Sequence, residues 1–249
     1  MSHQSREELQ NSNVMPSRPY FEIAADFNVL AHEYIAGFEK AKEQPVGVAL
    51  AMLARGTNSL QGAAVLCELG LTAEANSLVR AAFECCFALG ALCKGYPLVA
   101  KLQEAHEKAR NQWAKFQLEN SSQSRLNDEQ LAILRAQATD SAGGNSLNYW
   151  TMAQQAGLLE YYETMYRPLS NFGTHLSEGS LSALLEPIEN NIGHVRMAMH
   201  GALTAYVLLL RQASRFHPVE SIDVDVGHVT ERFADLAAMD VDGASEGDI

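Results

Sequence analysis

No apolar run in this 249-residue chain reaches the roughly 18–20 residues that cross a bilayer. The longest candidates, residues 81–93 and 197–210, are too short and are interrupted by Glu84 and His200. The N-terminal stretch from Met1 to Glu8 is polar and lacks the core of a signal peptide, so no membrane association is expected and the expected location is the cytoplasm. Cysteine is scarce and has no framework spacing: Cys67, Cys85, Cys86 and Cys93 all lie in apolar helical stretches, as core thiols of a reducing compartment do.

Nucleotide and metal signatures are missing as well. There is no Gly-x-Gly-x-x-Gly and no Gly-x-x-x-x-Gly-Lys-Ser/Thr, so neither phosphate cradle is supported. His32-Glu33 and His106-Glu107 are followed by Ala36 and Arg110, where a zinc protease needs a second histidine one turn on. No Glu-x-x-His occurs, against a di-iron bundle, and no Gly-x-Ser-x-Gly elbow is present. Asp240-x-Asp242-Gly243 lacks the other ligands of a calcium loop. No metal and no cofactor is expected.

Basic charge is short too. The net charge is −12, and from residue 218 onward nine acids face Arg232 alone, so −8 of it belongs to the C-terminal segment. A global basic footprint for nucleic acid is therefore absent. Strand patterning is confined to Ser221–Val226, too short to build a sheet.

What is present is helical periodicity. Residues 1–18 read as polar and loose, and a first helix is expected over 21–42 with Phe21, Ala24, Asn28 and Val29 on one face. A second follows over 46–69, stopped by Gly70. Thr72 is expected to cap a third helix to about Lys94 that is apolar nearly all round, which places it at the centre of a bundle. Pro97 opens a fourth, amphipathic helix through Glu119, and Asn127-x-x-Gln130 reads as a capping box for a short helix to Ala138. Helices near 147–155 and 158–166 precede Pro168, which starts or kinks the next segment. A long helix over 194–216 follows, and one more is expected near 229–239. The expected fold is all-α: one bundle of about seven to eight helices over 19–217, with an acidic tail over 218–249, partly helical or disordered.

Two polar signatures stand out inside this apolar pattern. The first is Arg80-x-x-Phe83-Glu84, whose charges share one helix face at ion-pair spacing. They make either a hydrogen-bonded pair that fixes helix register or perturbed charges in a cleft. The second is Tyr166-Arg167-Pro168-Leu169-Ser170, followed by Asn171 and His175. Arg167, Ser170, Asn171 and His175 can share a helical face, where the arginine fork would hold a phosphate and the histidine would move a proton. The alternative is a polar core layer in which His175 bonds a backbone carbonyl.

Together with Glu74-Ala75, Trp150, Gly157-Leu158 and Tyr162, these motifs resemble, in order and spacing over about 50–215, a large bacterial family of uncharacterised all-helical proteins. That resemblance implies a helical bundle. A more distant likeness is to the HEPN superfamily, helical dimers that include metal-independent ribonucleases of toxin and defence systems. Their Arg-(4–6 residues)-His signature is shorter than the spacing of Arg167 to His175, whereas Arg211 and His217 fit it. The likeness implies Arg167 as phosphate binder and His175 as general acid and base, with Arg80, Glu84, Tyr166, Ser170 and Asn171 as binding or orienting groups. The competing reading is a non-catalytic interaction module of a stress, defence or toxin–antitoxin system, whose acidic tail over 218–249 docks on a basic partner or mimics nucleic acid and whose partner is a protein or RNA. Dimerisation fits either, through small residues such as Ala198, Gly201 and Ala202.

Overall fold

The computed structural model describes residues 6–38, 44–120, 126–138, 147–172 and 191–245, with side chains over 17–37, 46–120, 126–138, 147–170 and 192–239. Among the described residues there are nine helices and no strand. They are α1 (Arg6–Phe38), α2 (Gln44–Glu68), α3 (Thr72–Cys93), α4 (Leu98–Asn120), α5 (Asp128–Gln137), α6 (Tyr149–Ala156), the composite α7 over residues 159–172, α8 (Asn191–Phe216) and α9 (Glu220–Ser245).

The bundle is built around α3. Val79, Phe83, Phe87 and Leu89 are fully enclosed, as are Phe27 and Tyr34 of α1, Leu53 and Leu60 of α2, and Met199 and Leu203 of α8. By length and composition alone α3 could cross a membrane, but its apolar residues are used inside the bundle. It runs parallel to α8: the Cys86 and Cys93 thiols donate to the carbonyls of Ala205 and Gln212, both at a separation of 119 residues. Against α2 it is antiparallel, with Gly56 beside Cys85 and Gly62 beside Leu78. The small residues Ala198 and Ala202 are buried within the chain, and Gly201 lies against Val79 and Met165, so that face of α8 serves packing inside the bundle.

Local rules account for most of the boundaries. Gly70 at φ +73° closes α2 in a Schellman turn, with Leu71 N–H on Leu66 O at 2.9 Å and Gly70 N–H on Cys67 O at 3.0 Å. The capping box forms as expected: Gln130 N–H donates to Asn127 Oδ1 at 2.8 Å, and Asn127 N–H to Gln130 Oε1 at 3.0 Å. Thr72 is not a cap. Leu71 holds the N-cap position of α3 and makes no side-chain cap bond, because the Schellman turn has already set the entry to the helix.

Residues 6–18 and 220–245 are helical, more so than their polar and acidic composition implies. α1 begins at Arg6, and Ser17 and Tyr20 are buried, so residues 6–18 continue a helix. The acidic segment forms α9 over 220–245, including Ser221–Val226, where two-residue alternation gives way to helical spacing. Ile222, Val226, Val229 and Phe233 make one buried stripe, while Asp225, Glu231 and Asp235 remain exposed. α9 packs on α1 and α8. Tyr34 Oη donates to the Asp223 carboxylate, Arg232 pairs with Asp26, and His200 meets Phe233 at 5.0 Å between ring centroids.

By contact the chain divides into two compact units. Residues 96–149, carrying α4 and α5, form a compact unit of their own, and residues 1–95 with 150–249 form the other. The cause is composition: α4 buries only Leu98 and Ala114, too little apolar surface for a bundle position.

Two expectations follow. A Cβ on Gly90 would lie 2.7 Å from the Cβ of Ala156, an atom fixed to the α6 backbone, whereas one on Gly62 meets only the flexible end of Leu78 at 2.9 Å. Gly90→Ala should therefore lower the unfolding free energy in urea by about 1–3 kcal/mol, with Gly62→Ala near neutral. Burial pushes the thiols of Cys67 and Cys85 up to about 12 and those of Cys86 and the phenols of Tyr34 and Tyr206 well above their ordinary values. The unfolded chain loses these protons first. Stability should hold below pH 9 and fall toward pH 12, by about 1.4 kcal/mol per pH unit per group, as alkaline denaturation curves would show.

Candidate functional site

Pro168 shapes the site. In a regular helix its ring would collide with the Thr164 carbonyl, and it offers no N–H to that acceptor. The helix opens just ahead of it: Leu159–Tyr161 passes into a π-turn over Tyr162–Tyr166, where Arg167 N–H reaches Tyr162 O, and α-helix resumes over Arg167–Phe172. Upstream, Gly157 at φ +73° ends α6 in a second Schellman turn, with Leu158 N–H on Ala153 O at 2.8 Å. The wide turn brings Tyr162 and Tyr166 together, ring centroids 5.0 Å apart, and sets the edge of Tyr166 on Phe87 at 5.6 Å.

Tyr166 in turn satisfies the charges of α3. Its hydroxyl donates to Glu84 Oε1 at 3.1 Å and accepts from Arg80 Nη2 at 3.2 Å, while Arg80 and Glu84 meet directly at 3.4 Å. The Arg80 guanidinium carbon lies 5.2 Å from the Tyr166 ring centroid, a cation–π contact. Burial raises the Tyr166 phenol above its usual value, partly offset by the Arg80 hydrogen bond, so it stays a neutral donor at physiological pH. Arg80, Glu84 and Tyr166 are thus brought together, across 82 to 86 residues of sequence.

Arg167 is not part of that group. It is exposed and held by Glu163 at 2.6 Å, a contact that raises its already high basicity. Ser170 Oγ donates to the Tyr166 carbonyl at 2.9 Å, a bond internal to its own helix. Asn171 lies in α7, but its side chain is outside the described residues, and so is all of His175. Of the second helical face expected to carry Arg167, Ser170, Asn171 and His175, the described part has its polar groups bonded back to α7.

An apolar pocket of about 220 Å³ opens beside this network, lined by Asn76 of α3, Thr164, Met165, Pro168 and Leu169 of α7, and Met197 and Gly201 of α8. Met197 is 67% exposed at its rim. A Cβ at Gly201 would make ordinary van der Waals contact with Val79 at 3.4 Å and Met165 at 3.7 Å, so the backbone of α8 itself forms this part of the pocket wall. Sequence reasoning missed the pocket because its lining comes from three distant segments; the one sequence-level pointer is the run Met165, Pro168, Leu169 around the proline. No metal-ligating group of three or more side chains occurs among the described residues.

Tyr166→Phe keeps the ring contacts and removes both hydroxyl bonds. It should cost about 1–2 kcal/mol in urea unfolding and couple non-additively to Glu84→Gln.

No curated protein matches the chain, and no solved structure does. A family of unknown function, DUF5677, matches residues 46–194, more than half of the chain and all three members of the Arg80–Glu84–Tyr166 network, and the chain belongs to that family.

Proposed function

We propose that this DUF5677 protein is a non-catalytic helical interaction module of a bacterial stress, defence or toxin–antitoxin system, and that it receives an apolar side chain of a basic partner polypeptide in the α3–α7–α8 pocket. The observation that carries this reading is the pocket: it is open and apolar, with Met197 exposed at its rim. The polar groups around it support the reading, since Arg80, Glu84, Tyr166, Arg167 and Ser170 bond to one another or to their own helix. Charge supports the partner's chemistry. Residues 96–149 hold six basic and six acidic residues, so the whole −12 belongs to the rest of the chain, the unit that carries the pocket.

The alternative is an HEPN-like, metal-independent ribonuclease in which Arg167 binds phosphate and His175 transfers the proton. It is favoured by one observation, the π-turn directly ahead of Arg167, since such turns recur at functional sites.

Fluorescence anisotropy with a labelled amphipathic Leu/Lys peptide tests the first reading. The wild type should bind it, an equivalent Leu/Glu peptide should not bind, and Met197→Lys should weaken binding by about ten-fold or more. Equal binding of both peptides, or no effect of Met197→Lys, overturns it. For the second reading, tRNA cleavage in EDTA that is lost in both Arg167→Ala and His175→Ala, with folding intact, would establish a ribonuclease in place of an interaction module.

A further inference from the structure

Among the described residues, one helix face has no neighbour inside its own unit. Along α4, Val99, Leu102, His106, Ala109, Trp113 and Phe116 fall at alternating steps of three and four, the a and d positions of successive heptads. α5 covers a different side of α4, where Asn111 faces Ala136 and Gln137 across a cleft and Ala114 is buried. Most of the stripe is open among the described residues: Trp113 is 55% and Phe116 59% exposed, His106 and Ala109 are exposed beside them, and Val99 and Leu102 are half-buried. Two large aromatics on one exposed stripe mark a surface built to be covered.

We propose that this stripe is a self-association surface, and that a second copy of the chain covers it in an antiparallel, two-fold helix pair. The stripe's own pattern supports this occupant. In antiparallel register Val99 meets the other copy's Phe116, Leu102 its Trp113 and His106 its Ala109, so each bulky aromatic faces a smaller aliphatic residue along the whole seam. A parallel pair would stack tryptophan on tryptophan and phenylalanine on phenylalanine at one end and leave the other end thin. The same contacts recur by symmetry, which closes the assembly at two. The residues flanking the seam are Gln103, Ala105, Arg110, Gln112 and Gln117, which place no like charges opposite each other in the antiparallel register.

Charge selects the same surface. Two copies repel wherever the acidic unit would meet itself, since that unit carries all of the −12, whereas residues 96–149 are balanced at six basic and six acidic residues. The same balance disfavours nucleic acid on this stripe, which would require a basic flank.

Sedimentation equilibrium of the full chain tests the proposal. The wild type should show a dimer at micromolar concentrations, and Trp113→Glu/Phe116→Glu should weaken it at least about a hundred-fold with the circular dichroism unchanged. Both side chains are exposed, so the variant keeps its core. Orientation is read by cysteine cross-linking: His106→Cys/Ala109→Cys should form a disulfide between copies under mild oxidation, and neither single variant should. A monomeric wild type, a dimer that survives the double glutamate variant, cross-linking by a single cysteine variant, or a monomer that binds poly(U) through Trp113 would each overturn the antiparallel self-association.

Discussion

Enclosing α3 imposes one electrostatic demand. A helix whose apolar residues face in nearly every direction can be buried on all sides, but this one carries Arg80 and Glu84 in the same stretch. Neither charge can be left unpaired in partly buried surroundings at acceptable cost. Pairing with each other meets part of the demand, and the Tyr166 hydroxyl, donor to one and acceptor from the other, meets more of it. The position of α7 against α3 follows from that bridge and from the edge-on contact of Tyr166 with Phe87.

The backbone of α7 is shaped to deliver that hydroxyl. Pro168 breaks the regular ladder, the π-turn absorbs the break, and the resulting offset places two tyrosines on one side and Met165, Pro168 and Leu169 on the other. One local irregularity thereby produces both the polar bridge and the wall of the apolar pocket. The pocket and the network are two faces of the same turn, so substitutions that restore a regular helix there would disturb both.

Much of the architecture was legible in the sequence because it rests on local rules. The periodicity of α3, the Gly70 stop and the Asn127–Gln130 capping box each depend on residues within a few positions of one another. The pairing of Arg80 with Glu84 was legible for the same reason. What could not be read depends on distant partners. Nothing near Tyr166 signals that its hydroxyl bridges two residues more than eighty positions earlier. The order of α9 was hidden by its acidity, since the stripe of Ile222, Val226, Val229 and Phe233 is sparse and acquires meaning only when α1 and α8 supply a surface. Thr72 misled in the opposite sense, a good capping residue placed one position too late.

The contact between α1 and α9 bears on how the chain reaches this state. Tyr34 and Asp223 are 189 residues apart, and Asp26 and Arg232 are 206 apart. Contacts of such separation carry the largest loop-closure entropy and form slowly, whereas the α4–α5 hairpin closes within a few tens of residues. During vectorial synthesis α1 emerges well before α9, the helix that covers part of its buried face. Until then that face is sticky, open surface on a nascent chain, and a chaperone or a neighbouring polypeptide would meet it before α9 does.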